Sequence, residues 1–523
     1  MAERALFITS NGTGLGHLTR SMAIARRLDP SLEPLVITLS AAAPVVREAG
    51  FGVEYVASYA TPGAGSDWRW SRRLRGRLRQ AIGEAAPRLL VFDGAHPYQA
   101  LIDALGAGRG TRAVWCRRAM WRPGSNRGAL ERTGFFDAVL EPGELAEAED
   151  RGPTVARRAE AQRVGPIVYC DDADLLPRPE AERDLGLEAG KVNVLVQLGQ
   201  GPEVREAVDR CLRHLAGRDG VQVAALSSAI ARLDSVPEGV VHLGATYPMS
   251  RYYAAFDLAV SACGYNAYHE LIRFRVPALY LPMPRLTDDQ QARARHAERL
   301  GVGLGADGPA SERIEELLDE LLVPERRRGM RGRLGELHLD DGASQAARWL
   351  EELVAAKRGP ARRRASSWRR WLRTPVGSAR KAAPFAARVP LHAAALVKQT
   401  IVRRPPRTVI LALGVASGEF ESQLERALAA APDPPERVLV VTDSLEFGPL
   451  LRAGVGFEHV PAPSEPQPKL APGGYQAFLR RRLALILAER RRPRHAATIG
   501  EADPALLEAI TAPRRRRREL LTR

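Results

Sequence analysis

Residues 10–20 read "SNGTGLGHLTR" and follow an apolar run at 5–9, so three glycines and a histidine fall where a first strand should turn into a first helix. Glycines at Gly12, Gly14 and Gly16 allow a tight turn and close approach of a ligand to the backbone. Free N–H groups at a helix start favour an anion. His17, titrating near neutral pH, suits a general base. A helix-capping role suits it as well, and these residues alone leave both readings open. A dinucleotide loop is disfavoured: it wants G-x-G-x-x-G and an acid closing the second strand. Here the spacing is G-x-G-x-G, and the second strand ends "LVITLSAAA". A P-loop would need Gly-Lys-Ser/Thr, which this stretch lacks. Three more groups could do chemistry. Asp93 and His96 in "VFDGAHP" close a strand; Arg117 and Arg118 in "VWCRRAMWRPG" follow another and could hold an acceptor phosphate. "DDAD" at 171–174 offers a metal-binding D-x-D, weakened by its place in a linker.

The elements that must position these residues alternate strand and helix. Strands are expected at 5–9, 34–39, 89–92, 113–116 and 138–140, with helices such as 18–28 and 42–49 between them. After a linker at 163–177 the alternation resumes, with strands at 192–197, 221–226, 240–243, 258–261 and 278–282 and a closing helix near 344–356. Such alternation implies parallel sheets covered by helices. Two of them in tandem place a ligand in the cleft at the carboxyl ends of their strands.

The net charge is +16, and 357–407 alone carries 15 Lys plus Arg and no acid. A nucleic-acid binder of uniform basicity is therefore not expected. The segment also carries Trp368, Trp371 and Phe385. That mixture suits peripheral attachment to an anionic membrane surface, at about 1 kcal/mol per basic residue. No apolar stretch approaches the roughly 20 residues of a membrane span. The N-terminus lacks a secretory pattern, and four scattered cysteines suggest reduced thiols. A cytoplasmic chain, peripheral on the inner face of the membrane, is the expectation. "VVREAGFGVEYVA" (45–57) and "PLLRAGVGFEHVP" (449–461) align without gaps at an offset of 404, so a C-terminal unit reads as a partial copy of the opening βαβ. The glycine-histidine loop is missing from that copy. The expected domains are 1–165, 166–356, a basic linker 357–407, the partial repeat 408–512 and a basic tail 513–523 taken as disordered.

The stretch 256–303, "FDLAVSACGYNAYHELIRFRVPALYLPMPRLTDDQQARARHAERLGVG", resembles the donor-binding region of GT-B nucleotide-sugar glycosyltransferases. The nearest group is family 28, which includes the transferase that completes lipid II. A strand ending in a small turn, Glu270 six residues after Gly264, a proline-bearing strand and the motif Asp288-Asp289-Gln290-Gln291 occur in family order. They follow the opening loop and the linker "VGPIV", and the likeness covers about residues 1–350. The resemblance implies an α/β, GT-B fold of two Rossmann-like domains facing a cleft. It implies a UDP-sugar donor, N-acetylglucosamine being the leading sugar, and a lipid-linked or cell-envelope glycan acceptor. The transfer would be inverting, with no cofactor and no metal. Donor contacts carried over are Gly14, Gly16, Gly199, Gln200, Gly201, Met249, Gly264, Tyr265, Asn266, Glu270, Asp288, Gln290 and Gln291. His17 would be the base, with Asp93 supporting it. The first loop has one residue more than the family pattern, and Ala267 replaces its helix-start threonine, so acceptor identity does not carry over. A nucleotide-sugar 2-epimerase of the same fold and a non-catalytic membrane-docking scaffold are the alternatives.

Overall fold

A computed structural model describes residues 3–10, 15–59, 67–108, 110–199, 202–226, 237–244, 246–356, 406–463, 474–488, 493–500 and 503–522. The expectations on Gly12, Gly14, Gln200, Gly201 and the basic segment 357–405 lie outside these residues.

The first sheet holds β1 (Glu3–Thr9), β2 (Leu32–Thr38), β3 (Gly52–Tyr55), β4 (Leu89–Asp93), β5 (Arg112–Cys116), β6 (Ala138–Glu141) and β7 (Ala161–Arg163), in the order β3-β2-β1-β4-β5-β6-β7. Its pairings are all parallel. β1 is apolar without alternation because both faces are covered: Ala5 and Phe7 enter one core, Leu6 and Ile8 the other. The second sheet holds β8 (Val192–Gln197), β9 (Val221–Ala225), β10 (Val240–His242), β11 (Leu258–Ser261), β12 (Ala278–Tyr280) and β13 (Gly303–Gly305), in the order β10-β9-β8-β11-β12-β13. In both sheets the first strand and the strand that starts the other half lie side by side, β1 by β4 and β8 by β11. That switch point is where open α/β sheets place their ligands.

The helix Gly342–Ala355 returns from the second domain to the first. Ala343, Ala346, Ala347 and Leu350 share a core with Ala5, Phe7, Leu89 and Val91. The Asp341 carboxylate caps it by accepting from the Ser344 N–H at 3.1 Å. The crossing is backbone on backbone: a Cβ on Gly342 would meet the Gly165 carbonyl oxygen at 1.9 Å.

A third sheet holds β14 (Thr408–Leu413), β15 (Val438–Thr442), β16 (Gly456–His459) and β17 (His495–Gly500), in the order β16-β15-β14-β17. This repeats the order β3-β2-β1-β4 of the first domain. The two units meet along β3 and β16, near a pseudo-two-fold. The Tyr55 N–H donates to His459 Nδ1 at 3.3 Å, across positions 404 apart. The Tyr55 ring packs on Phe447 and Phe457, with centroids at 4.5 and 5.7 Å. Behind it Arg77 donates to Glu54 at 3.0 Å, and Arg482 also bonds Glu54; all three are buried. Burial disfavours the Glu54 carboxylate, yet Arg482 and Arg77 outweigh it and hold its pKa below the ordinary value. Glu54→Leu removes the nearest anion from two buried cations, leaving Arg77 with Glu458 at 3.6 Å and Arg482 with Glu84 at 3.7 Å, so a loss of about 3 kcal/mol in stability is expected by denaturant unfolding. An unchanged midpoint would refute this account of the domain contact.

Residues 513–523 differ from the expected disordered tail. Arg514–Thr522 form a helix with Leu521 buried, packed beside the helices Gly474–Ala488 and Pro504–Thr511. The leucine pair at 520–521 faces that core, which five arginines in the sequence concealed.

Candidate active site

Asp93 ends β4, in register with Thr9 of β1 and Cys116 of β5, and is 1% exposed. The helix Gly16–Ala25 starts at the same sheet edge and carries His17 on its first turn and Arg20 one turn on. His17 Nδ1 lies 2.6 Å from Asp93 Oδ1. Arg20 donates to the same carboxylate through Nη2 at 2.6 Å and Nε at 3.1 Å. An ionised Asp93 is an acceptor only, so it imposes the tautomer with the proton on Nδ1 and leaves the Nε2 lone pair free. Burial works against the Asp93 charge, but Arg20 and His17 hold its pKa below the ordinary carboxylate value. Burial lowers the His17 pKa from 6.5, against the pull of Asp93. The imidazole is therefore neutral at pH 7 and can accept a proton. Arg20, which the sequence reading passed over, was signalled by its i+3 spacing from His17 on one helix face.

The donor half is built on the helix Tyr265–Arg273, which follows β11 with Gly264 at its N-cap. Its N-terminus faces that of the His17 helix: the Asn266 amide donates to the Gly16 carbonyl at 3.4 Å and accepts from Arg20 Nη1 at 3.5 Å. Two sets of helix-start N–H groups thus converge on one cleft, a setting that favours an anion. Glu270 lies one turn into this helix, half-buried. Desolvation alone pushes its carboxyl up to about 8. No hydrogen bond or ion pair to a described residue offsets that burial. Tyr247, Tyr253 and Cys170 are its electrostatic neighbours, and none is a cation. Gly199 closes β8 with φ +87°, a left-handed backbone that suits glycine. The Met249 side chain is buried in the second domain's core, so only its backbone is placed to meet a ligand.

Several expected donor ligands are occupied otherwise. The Tyr265 hydroxyl donates to the Gly143 carbonyl at 2.9 Å and accepts from the Ile167 N–H at 3.0 Å, so it braces the domain junction. Asp288 is ion-paired at 3.0 Å to both Arg118 of the first domain and Arg293. Burial opposes its charge, but those two guanidiniums hold its pKa far below the carboxylate range. Asp289 caps the helix Gln290–Leu300 through the Ala292 N–H at 3.1 Å. Gln290 accepts from the Met283 N–H at 2.9 Å and donates to Asp288 at 3.3 Å; its Nε2 also lies above the Gly264 turn. Gln291, half-buried, keeps its amide without a partner among the described residues. The motif thus supplies a pinned loop and one amide, that of Gln291, without a partner among the described residues. The loop is pinned further by backbone bonds between domains, Arg122 N–H to Thr287 O at 2.6 Å and Asp289 N–H to Met120 O at 2.9 Å.

The other candidates fall away from the cleft or into support. Arg117 is fully buried and donates to the Arg157 carbonyl at 3.0 Å, whereas Arg118 turns toward Asp288. His96 is exposed beside Asn126. In the "DDAD" stretch the D-x-D is Asp172-Ala173-Asp174, and both of its acids are taken: Asp172 pairs with Arg273 at 3.4 Å and Asp174 accepts from Arg26 at 2.9 Å. Arg293, Glu144 and His269, joined at 2.8 and 3.2 Å, form a buried brace that the sequence reading missed. Their partners come from separate domains, and only Arg293, near the Gln-Gln pair, carried any local signal.

No family model matches the chain. Curated relatives of the chain are named UDP-N-acetylglucosamine–N-acetylmuramyl-(pentapeptide) pyrophosphoryl-undecaprenol N-acetylglucosamine transferase. The protein from Aquifex aeolicus is 31% identical over 152 residues, 28% of this chain and 43% of that relative. The one from Rhodococcus jostii is 26% identical over 378 residues, 67% of this chain and 97% of the relative. The crystal structure of Acinetobacter baumannii MurG is 13% identical, with a TM-score of 0.44 over 67% of this chain and 99% of that one. Along almost the whole length of the Rhodococcus protein this chain is thus similar to a UDP-N-acetylglucosamine-dependent transferase, and it carries two parallel-sheet α/β domains.

Proposed function

We propose that the chain transfers a sugar, N-acetylglucosamine in the leading case, from a UDP-sugar to a hydroxyl of a lipid-linked or cell-envelope acceptor. The observation that carries this reading is the pairing of two unlike halves across one cleft. One is a neutral imidazole braced by Asp93 and Arg20; the other is a helix N-terminus followed by a carboxyl group, that of Glu270, with no partner among the described residues. The relatives' names support the donor and the lipid-linked acceptor.

In the proposed reaction the acceptor hydroxyl gives its proton to His17 Nε2 as its oxygen bonds the anomeric carbon from the face opposite the leaving group. The bond from that carbon to the β-phosphate oxygen breaks, its electron pair leaves on UDP, and the configuration inverts. Asp93 stabilises the imidazolium that forms. The helix beginning at Tyr265 meets the charge growing on the diphosphate, the role a metal fills in other enzymes. Glu270 accepts from the ribose hydroxyls, and the free amide of Gln291 reads the sugar.

The membrane part of the proposal rests on the basic composition of 357–405, since among the described residues no helix is long and apolar enough to cross a membrane. The test is UDP release from a panel of UDP-sugars, with and without a bacterial lipid extract and with and without EDTA. Release that needs the extract, persists in EDTA and vanishes in Glu270→Ala is the expected result. Release without an acceptor, accompanied by an epimerised sugar, would replace transfer with epimerisation. No release and no donor binding would leave a scaffold.

A further inference from the structure

Arg118 follows β5 in the first domain and stands between the two halves of the site. Its guanidinium carbon lies 5.7 Å from the centre of the Tyr265 ring, at the first residue of the donor-side helix. It is near the base as well: burial lowers the His17 pKa, and the charges of Arg20 and Arg118 lower it further against the pull of Asp93.

Three guanidiniums surround the Tyr265 ring, those of Arg20, Arg118 and Arg293, at 5.1, 5.7 and 5.9 Å. Two of them are fully committed. Arg20 is buried and gives Asp93 two bonds; Arg293 is buried and divides itself between Glu144 and Asp288. Arg118 is committed on one side alone. Its Nη1 donates to Asp288 at 3.0 Å, while Nε and Nη2 have no hydrogen-bond partner among the described residues. The side chain is 14% exposed, and those two nitrogens reach solvent, unlike Nη2 of Arg293, which is buried without a partner. Asp288 does not need more of Arg118 than this. Arg293 pairs with it at 3.0 Å, and Gln290 donates to it at 3.3 Å.

We propose that Arg118 is a further catalytic residue of the transfer, its unpartnered N–H groups donating to the diphosphate of the UDP-sugar as that group leaves. The assignment rests on the reading of the chain as a UDP-sugar transferase. As the bond from the anomeric carbon to the β-phosphate oxygen breaks, its electron pair passes to that oxygen and the diphosphate gains negative charge. Arg118 meets that charge with hydrogen bonds and gives up no proton, because a guanidinium stays ionised. The helix start at Tyr265 offers only partial positive charge. A fixed full charge aimed where the anion develops therefore adds to it, and favours the transition state over the bound donor. Asp288 is the positioning residue here. Its bond to Arg118 joins the two domains, so the cation stands at the donor only while the cleft is closed.

Calorimetry with UDP and with UMP on the full-length chain separates a diphosphate contact from a domain clasp, since the two nucleotides share base and ribose. The parent chain should prefer UDP. In Arg118→Gln the affinity for UDP should fall about tenfold or more, as for a lost hydrogen bond to a charged group, while that for UMP stays within about twofold. Arg118→Lys keeps a charge and should recover part of the preference. Asp288→Asn breaks the clasp but keeps the guanidinium, so its preference for UDP should exceed that of Arg118→Gln. UDP release with the lipid extract should fall about 10²-fold or more in Arg118→Gln. A preference for UDP that Arg118→Gln leaves intact would overturn this assignment alone. Equal losses in Arg118→Gln and Asp288→Asn would also overturn it, by making Arg118 a clasp. A parent chain that binds neither nucleotide would defeat the UDP-sugar reading, and the assignment with it.

Discussion

His17→Ala should lower kcat by about 10²–10⁴-fold, the usual contribution of a positioned general base, while UDP-sugar affinity stays near that of the parent chain. The split follows from the geometry. His17 stands on the first domain with Nδ1 committed to Asp93 at 2.6 Å, whereas the donor contacts lie on the helix Tyr265–Arg273. Because burial lowers the His17 pKa from 6.5, kcat at saturating donor should stay level from about pH 6.5 upward and fall only in more acid solution. There the imidazole takes a proton before the acceptor can offer one. A loss below about tenfold in His17→Ala, or a pH profile that keeps its acid limb in that variant, would remove His17 from the chemistry.

Asp93→Asn tests the same pair from the other side and should act twice. An amide can present its oxygen to Nδ1–H, but it no longer stabilises an imidazolium, and it leaves Arg20, 1% exposed, without a buried anion. Activity and stability should therefore fall together, whereas His17→Ala should leave stability nearly intact because the Asp93–Arg20 pair remains. This contrast separates a base from a mere helix cap.

How much of this the sequence carried differs from element to element. The parallel sheets were legible because buried strands are continuous apolar runs with helical stretches between them, as β1 and β4 are. The short strands β7 and β13, three residues each, carry too little pattern to be recognised. His17 and Asp93 could be named because strand ends and helix starts meet at the switch point of such a sheet. What could not be read was how polar side chains share partners. Asp288 looks like a sugar ligand until Arg118, 170 residues away, claims it. Tyr265 looks like a donor contact until its hydroxyl is found bridging Gly143 and Ile167. Both are tertiary competitions with no local signature. The five arginines at 514–518 misled in the opposite sense, since composition spoke for solvent while Leu521, three residues further on, is buried.

Donor binding should be coupled to the ionisation of Glu270. In the free protein burial holds this carboxyl at about 8, so it carries a proton at pH 7. Two ribose hydroxyls donating to it favour the charged form and pull its pKa down in the complex. The complex then holds fewer protons than the free protein in the window below 8. Affinity should accordingly rise by up to about tenfold per pH unit from roughly 6.5 to 8 and level off above. The neighbouring thiol of Cys170 is pushed up to about 12 by burial, and Tyr247 and Tyr253 are raised above their ordinary value of 10, so none of them titrates in that range. Calorimetry with an intact UDP-sugar is the right measurement, because free UDP has a terminal phosphate that titrates near about 6. Buffers of different ionisation enthalpy should reveal close to one proton released per donor bound at pH 7. In Glu270→Gln the pH dependence should flatten. Glu270→Ala should weaken binding by roughly 10²-fold or more, given about 1.5–3 kcal/mol for each hydrogen bond to a charged acceptor. Binding that is strong and independent of pH in the parent chain would mean that the ribose sits elsewhere. Proton release that survives in Glu270→Gln would assign the linkage to another group, and Glu270 would then be a buried acid outside the donor site.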